Sequence, residues 1–511
     1  MKKQKKDWFR IKGYPHIGLP IKPKDILWVK KYAKTSSKVA KHSFLPFIHR
    51  EIVKRKFRKE YDESGIKTNN GKGVGRNKIR DIYYANHFDA NIYSYYSSLL
   101  SSSYEKRLFE RNLCNTVTAY RKIPLKPSDI NSRNMCNIDF ANEIFEFIRK
   151  KTNQDLVAIT FDITSYFDNL DHYILKKYWG KVIKKEQLPS DHYNVFKNIT
   201  KFSYVEEIDL FNEFKKEIIT ETKTGIRTKK NIKNISLLKK KRAIAYCEKK
   251  MFKTRIVNNG YLKSNKYNNK KELRKKGIPQ GSPISAVLAN LYLLDFDTKI
   301  NDYLSKNDGI YRRYSDDMVV VCNINMKNKI ISLFHKQIEK YKLDIQPKKT
   351  QVFHFIKNKE KHICYNETQN GTLLQTKRFE YLGFEFDGEF TYLKSSSLAG
   401  YYRKMKKGIN RSTFFAKHTK DKTSKNELFI KRLYKKYSYI GANRRRIFKK
   451  DIHNPGKWIE THKYDWGNYI TYAKLAENSM NKNKIGGQIK NHWKILNELI
   501  KKKQKELEPK E

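Results

Sequence analysis

The chain has 511 residues, and its 110 Lys and Arg against 52 Asp and Glu give a formal net charge of +58. An A·T-rich genome inflates lysine but gives no reason for acids to fall so far behind bases, so the excess calls for a polyanionic partner, nucleic acid. No run of roughly 18 apolar residues occurs, the basic N-terminus lacks a signal peptide's apolar core, and the five cysteines form no C-x-x-C pair. Membrane-spanning, disulfide-framed and zinc-knuckle classes are thereby excluded, and a soluble cytoplasmic protein is expected.

Residues 1–70 read as a basic helical extension, with "ILWVKKYAK" and "FIHREIVKRKFRKEY" as amphipathic segments. "SGIKTNNGKGVGRNK" at 64–78 marks a linker or a mobile loop. A short strand and helix follow, then an amphipathic helix at "EIFEFIRKK", 143–151. Leu156 to Ile163 is a nearly continuous apolar run, the mark of a strand covered on both faces, and Asp162 lies near its end. Asp168, Asn169 and Asp171 supply turn and N-cap chemistry for a helix from about His172. Residues 180–276 form a lysine-laden insertion whose architecture the pattern leaves undecided.

In "GIPQGSPISAVLANLYLLDFD", 277–297, Gly277, Pro279 and Gly281 shape a loop. Ser282 caps, and Pro283 opens, an apolar helix predicted to run to about Tyr303. "YRRYSDDMVVVC", 311–322, reads as a tight β-hairpin with Asp316 and Asp317 at its tip. A helix near 326–341, the segment "LDIQPKKTQVFHF" and a strand pair over 379–393 follow. Beyond about 395 the chain reads as helical and very basic, and no internal repeat is present.

Adjacent aspartates raise each other's cost of ionisation, so the pair needs a cation or a cationic side chain. A lone Asp-Asp in a loop is most often a solvated turn. Asp162, ending another strand, changes the odds: on neighbouring strands of one antiparallel sheet the three acids could converge into a site for two hard cations such as Mg²⁺. Two ions about 4 Å apart would activate a 3′-hydroxyl and stabilise departing pyrophosphate in an in-line displacement.

These residues resemble the bacterial reverse transcriptases related to group II intron and retron enzymes. "FDITSYFDNLDH" looks like motif A of that family, "GIPQGSPISAVLANLYL" like motif B, "YSDD" like the YxDD of motif C, "PKKT" like motif D and "FEYLGFEF" like the motif after it. "KIRDI", "HFDANIYSYY" and "TAYRKIP" match in the fingers, so the resemblance covers about residues 75–390 in consistent order. Ser315 stands where many relatives carry Ala, another small side chain.

The resemblance implies an α+β right-hand polymerase. Fingers and palm, the palm an antiparallel sheet, would occupy 71–395 with the 180–276 insertion. A basic helical thumb and C-terminal domain would occupy 396–511. It makes Asp162, Asp316 and Asp317, with the main-chain carbonyl of Ile163, ligands of two Mg²⁺ or Mn²⁺ ions. Lys78 and Arg80 would hold the triphosphate, solvated surface charges being the alternative. Gln280 and Gly281 would admit nucleotide and template, and Lys349 would protonate the leaving pyrophosphate unless it is a surface lysine. Phe167, five residues after Asp162, stands at the family's steric gate against a ribose 2′-hydroxyl, with a core phenylalanine as the other reading.

The missing Cys pairs speak against the zinc-bearing endonuclease domain of group II enzymes, and the retron "VTG" signature is absent. "KGYPHIGLP", "DANIYSYYSSLL" and the long basic C-terminal extension look most like the defence-associated and abortive-infection reverse transcriptases. That resemblance implies DNA synthesis from dNTPs on a dedicated structured non-coding RNA, or without template, in an anti-phage response. A tyrosine, an RNA 2′-hydroxyl or a DNA end could prime it, and homo-oligomers are open. The alternatives are a retron- or group II intron-type enzyme without a defence role, and a maturase-like RNA-binding scaffold with a vestigial polymerase core.

Overall fold

The apolar run Leu156–Asp162 is the central strand of a six-stranded sheet, and both its faces are covered. In this computed structural model, residues 8–508 are described apart from 59–73, 130–131, 223, 268–270, 420–422, 424, 444, 451–453, 455 and 466. The strand order is Ile310–Tyr314, Asp317–Asn323, Leu156–Asp162, Gln351–Asn358, Lys361–Glu367 and Leu373–Leu374, antiparallel throughout. Alternation sorts the central strand. Val157, Ile159 and Phe161 join a core with Leu288, Phe296 and Phe334, whereas Leu156 and Ala158 join one with Ile144, Phe145, Phe353 and Phe379. Phe161 stacks on Phe334, ring centroids 4.1 Å apart. Asp171 caps the helix His172–Ile183, accepting from Tyr173 and Ile174 N–H.

"ILWVKKYAK" is the helix Ile26–Lys34, but "FIHREIVKRKFRKEY" is not helical. Phe47–Arg58 is a strand paired along its length with Val74–Tyr84, from Ile48↔Tyr84 to Arg58↔Val74. A boundary at residue 70 would cut this fingers hairpin, and the part of the Gly- and Asn-rich break at 64–73 lies outside the described residues. The insertion extends the same sheet. Ser203–Glu206 runs parallel to Phe47–His49, and Lys263–Ser264 pairs on its far side. Between them the insertion builds a core of its own from Phe211, Phe214, Ile218, Tyr246 and Ile256, under a sheet completed by the N-terminal strand His16–Ile17.

The segment around that N-terminal strand is also tied to the chain that enters a long helix. Tyr14 hydroxyl donates to Ala85 O at 2.8 Å, Asn86 Nδ2 to Ile17 O at 2.6 Å and His87 Nε2 to Tyr14 O at 2.8 Å, so "GYPHIG" is fastened where the helix His87–Glu110 begins.

The 379–393 stretch holds three strands, Phe379–Tyr381, Phe384–Phe386 and Thr391–Leu393. The C-terminal region is helical at Ser395–His418, Ile430–Tyr437, Tyr469–Ser479 and His492–Lys505. It departs from the all-helical expectation at Arg445–Lys450 and Trp458–Asp465, a two-stranded hairpin. Met405, Ile409, Leu433, Ile470 and Leu496 continue the core beneath Leu156 and Ala158, which joins this region to the palm. Among the described residues no helix is long and apolar enough to cross a membrane.

Candidate active site

Tyr314 pairs with Asp317, which leaves Ser315 and Asp316 as a two-residue turn, with Ser315 in the left-handed region at φ 64°. The next strand over places Asp317 opposite Asp162. Ile163 N–H donates to Asp316 O at 3.4 Å, so the two acid-bearing chain segments are stitched together at their ends. The three acids, 154 and 155 positions apart in sequence, thus stand at one end of two neighbouring interior strands.

The electrostatics agree. Asp317 faces the cleft, but the protein behind it strips solvation, and with Asp316 and Asp162 beside it the carboxyl is pushed up to about 6. Lys349, in the short turn Pro347–Lys349, places Nζ 2.5 Å from Asp162 Oδ1. Gln346 N–H bonds Asp162 O at 2.8 Å and Thr164 N–H bonds Asp344 O at 2.9 Å, which fixes that turn beside the central strand. Oxygen-only acids that repel one another are the donor set a hard divalent cation takes, although here Lys349 offsets part of the repulsion. With the side chains as placed, Lys349 engages Asp162, and among the described residues no three His, Cys, Asp or Glu side chains close into a metal-holding cluster.

The "PQGS" loop bridges palm and fingers. Gln280 O accepts from Tyr83 N–H at 2.8 Å, Ile278 N–H donates to Phe167 O at 2.9 Å and Gly277 N–H to Leu170 O at 2.9 Å. Gly281 has φ 117°, and a Cβ there would lie 2.8 Å from Tyr83 O, so the close approach of loop to fingers strand requires glycine. Ser282 does not cap a helix. The helix begins at Ser285, whose Oγ donates to Pro279 O at 2.7 Å, and it breaks at Leu293 into Ser285–Tyr292 and Leu294–Lys306.

Phe167 is half-buried at the rim of the core, in the one-turn helix Tyr166–Asn169. Lys78 and Arg80 are exposed on the fingers strand, and among the described residues neither is bonded to the three acids. By strand alternation they share a face with Ile82, whose Cγ2 would be 3.0 Å from a Cβ on Gly281, so that face is turned to the "PQGS" loop.

Sequence reasoning passed over what stands behind the Ser315–Asp316 turn. Arg313 and Asp297 are fully buried and paired side-on, Nε to Oδ1 at 2.8 Å and Nη2 to Oδ2 at 2.6 Å. Tyr311 hydroxyl also donates to Asp297, and Arg313 Nη1 reaches Ser315 O at 3.2 Å. The available signal was parity: Tyr311, Arg313 and Ser315 alternate onto one face of a strand, opposite an acid inside an apolar helix.

Residues 230–386 match the family described as "Reverse transcriptase (RNA-dependent DNA polymerase)". The match takes in Gln280, Gly281, Asp316, Asp317 and Lys349 and stops short of Asp162, Phe167, Lys78 and Arg80. That stretch, under a third of the chain, is thus similar to a reverse transcriptase domain, and the fold around it is mixed α/β. No curated protein matches the sequence. Among solved structures, apo telomerase from Candida tropicalis is similar at 12% identity over 98% of this chain and 70% of that one, with a TM-score of 0.34. The same telomerase truncated from its C-terminal domain is similar at 11% identity over 71% and 58%, TM-score 0.31. Telomerase from Candida albicans with a fragment of telomeric RNA is similar at 14% over 80% and 57%, TM-score 0.32. The chain thus spans under three fifths of the latter two structures.

Proposed function

We propose that the chain is an RNA-directed DNA polymerase that builds DNA from dNTPs on an associated non-coding RNA, in bacterial anti-phage defence. The observation that carries the catalytic part is that Asp162, Asp316 and Asp317 stand together at the ends of two paired strands, with Lys349 on Asp162. Two bound Mg²⁺ or Mn²⁺ ions supply Lewis-acid chemistry at the attacking 3′-hydroxyl and the leaving pyrophosphate. The three acids and the carbonyl of Ile163 would hold them. Lys349, whose Nζ lies against Asp162, would hand a proton to pyrophosphate once substrate draws it away. Lys78 and Arg80 hold the triphosphate from the fingers, and Gln280 and Gly281 seat the base pair being formed. The excess of bases in the N-terminal 60 and C-terminal 115 residues suits a structured RNA held beyond the cleft. The defence assignment rests on the resemblance of "KGYPHIGLP" and "DANIYSYYSSLL" to that group.

The test is to purify the protein with its bound RNA and add Mg²⁺ with labelled deoxynucleotides or ribonucleotides. Labelled DNA copied from a discrete RNA, with no labelled RNA product, is expected. Tightly bound RNA and no DNA would transfer the reading to the maturase-like scaffold.

Phe167→Val, at the ring proposed to exclude a 2′-hydroxyl, should raise ribonucleotide use relative to deoxynucleotide use by about 10- to 100-fold, read as the ratio of kcat/KM values. An unchanged ratio with lowered stability would make Phe167 a core residue only.

A further inference from the structure

Tyr120 has backbone φ 61°, in the left-handed region that bulky L residues avoid, and its side chain is 59% exposed. The residues before it are not free to relax. Val117, Thr118 and Ala119 are buried; Thr118 N–H donates to Arg313 O at 2.9 Å, and Ala119 O accepts from Asn290 Nδ2 at 2.9 Å. On the other side, Arg121 reaches back to Cys114 O at 2.7 Å and forks onto Glu105 at 2.8 and 2.6 Å. Palm hairpin, "PQGS" helix and the long fingers helix together over-determine this turn, and what it presents is an aromatic ring. The Tyr120 hydroxyl stands 3.4 Å from Ser315 Oγ, one residue before Asp316. Burial does not explain this half-exposed ring, and its backbone strain is of the kind that clusters at binding sites.

We propose that Tyr120 is a nucleic-acid-binding residue of the polymerase, its ring a platform for the sugar and base of the growing strand's 3′-terminal nucleotide. The inference rests on the polymerase reading above. A 3′-hydroxyl delivered to Asp316 and Asp317 brings its own nucleotide over Ser315, the residue Tyr120 adjoins, while the incoming triphosphate belongs to the fingers side with Lys78 and Arg80. Stacking on an aromatic face is indifferent to sequence, as copying demands. The hydroxyl, facing Ser315, adds a polar edge that a primer sugar can meet.

The test uses the full chain with a 5′-labelled DNA primer annealed to an RNA template, and compares wild type with Tyr120→Phe, Tyr120→Ala and Tyr120→Gly. Alanine and glycine should raise KM and Kd for primer–template about tenfold or more, with KM for dNTP within twofold of wild type; phenylalanine, which keeps the ring, should stay within about threefold. Glycine adopts φ 61° without strain, so Tyr120→Gly should melt at or above the wild-type temperature while binding primer more weakly. A merely structural tyrosine would do the reverse, lowering the melting temperature and leaving primer KM alone. Wild-type primer KM in the glycine variant, or a change confined to dNTP KM, would overturn the proposal. A wild-type protein that makes DNA on its own RNA but extends no added primer would overturn the proposal, and one that makes no DNA on either would overturn the polymerase reading itself.

Discussion

Asp316→Ala should slow deoxynucleotide incorporation by at least about 10³-fold while leaving the fold intact, the magnitude expected when a group that stabilises transition-state charge is deleted. The turn does not depend on this side chain. Its shape comes from Ser315 at φ 64°, from Arg313 Nη1 on Ser315 O, and from Ile163 N–H on the main-chain carbonyl of Asp316, all of which survive truncation at Cβ. Asp317 also loses one of the two acids that push its carboxyl up, so the folded state is relieved rather than burdened. A melting temperature at or slightly above wild type, together with lost single-turnover incorporation, is the combined result to look for. A variant that incorporates at the wild-type rate would remove the three-carboxylate site from the mechanism.

Arg313→Ala is expected to act in the opposite way, on stability first. It leaves Asp297 buried with only Tyr311 hydroxyl as a charge-stabilising donor, and stranding one member of a buried pair costs about 3–5 kcal/mol. In a chain of this size that lowers the melting temperature by about 3–5 °C. Replacing both partners, as Arg313→Met with Asp297→Leu, should recover much of that loss, because apolar residues of similar volume tolerate the site as well as the ion pair does. Activity should not recover in step, since nothing then holds Ser315 O from behind. A double variant as active as wild type would show that the pair serves packing and not the turn.

The placement of the three acids on paired strands could be read from the sequence because local pattern and chemistry coincide there. An apolar strand ending in Asp162 and a tight hairpin bearing Asp316 and Asp317 each have one sensible placement, and "PKKT" brings Lys349 by being next along the sheet. Where the pattern was ambiguous, distant partners decided. Ile48, Ile52 and Phe57 are spaced as on a helix, yet Phe47–Arg58 is a strand because Val74–Tyr84 and Ser203–Glu206 flank it. Arg445–Lys450 and Trp458–Asp465 differ in that they pair only with each other, a local hairpin in a stretch whose basic composition reads as helix. Ser282 has the residue type of a cap, but Pro283 and the Ser285–Pro279 bond delay the helix by a turn. Arg313 and Tyr120 were hidden for another reason: buried charge and left-handed backbone are properties of a neighbourhood, and no single residue announces them.

The interleaving of the sheets has a consequence for synthesis. Leu156–Asp162 leaves the ribosome with neither neighbour made, and the strand that pairs Asp317 with Asp162 emerges some 155 residues later. At about 5–20 residues per second, an apolar strand with two open edges waits on the order of 10 s for its first partner. The fingers strand Phe47–Arg58 waits in turn for Ser203–Glu206. A nascent chain of this kind can be spliced into no early half-domain, and its stalled fragments should be caught by chaperones or proteases rather than persist as partial enzymes.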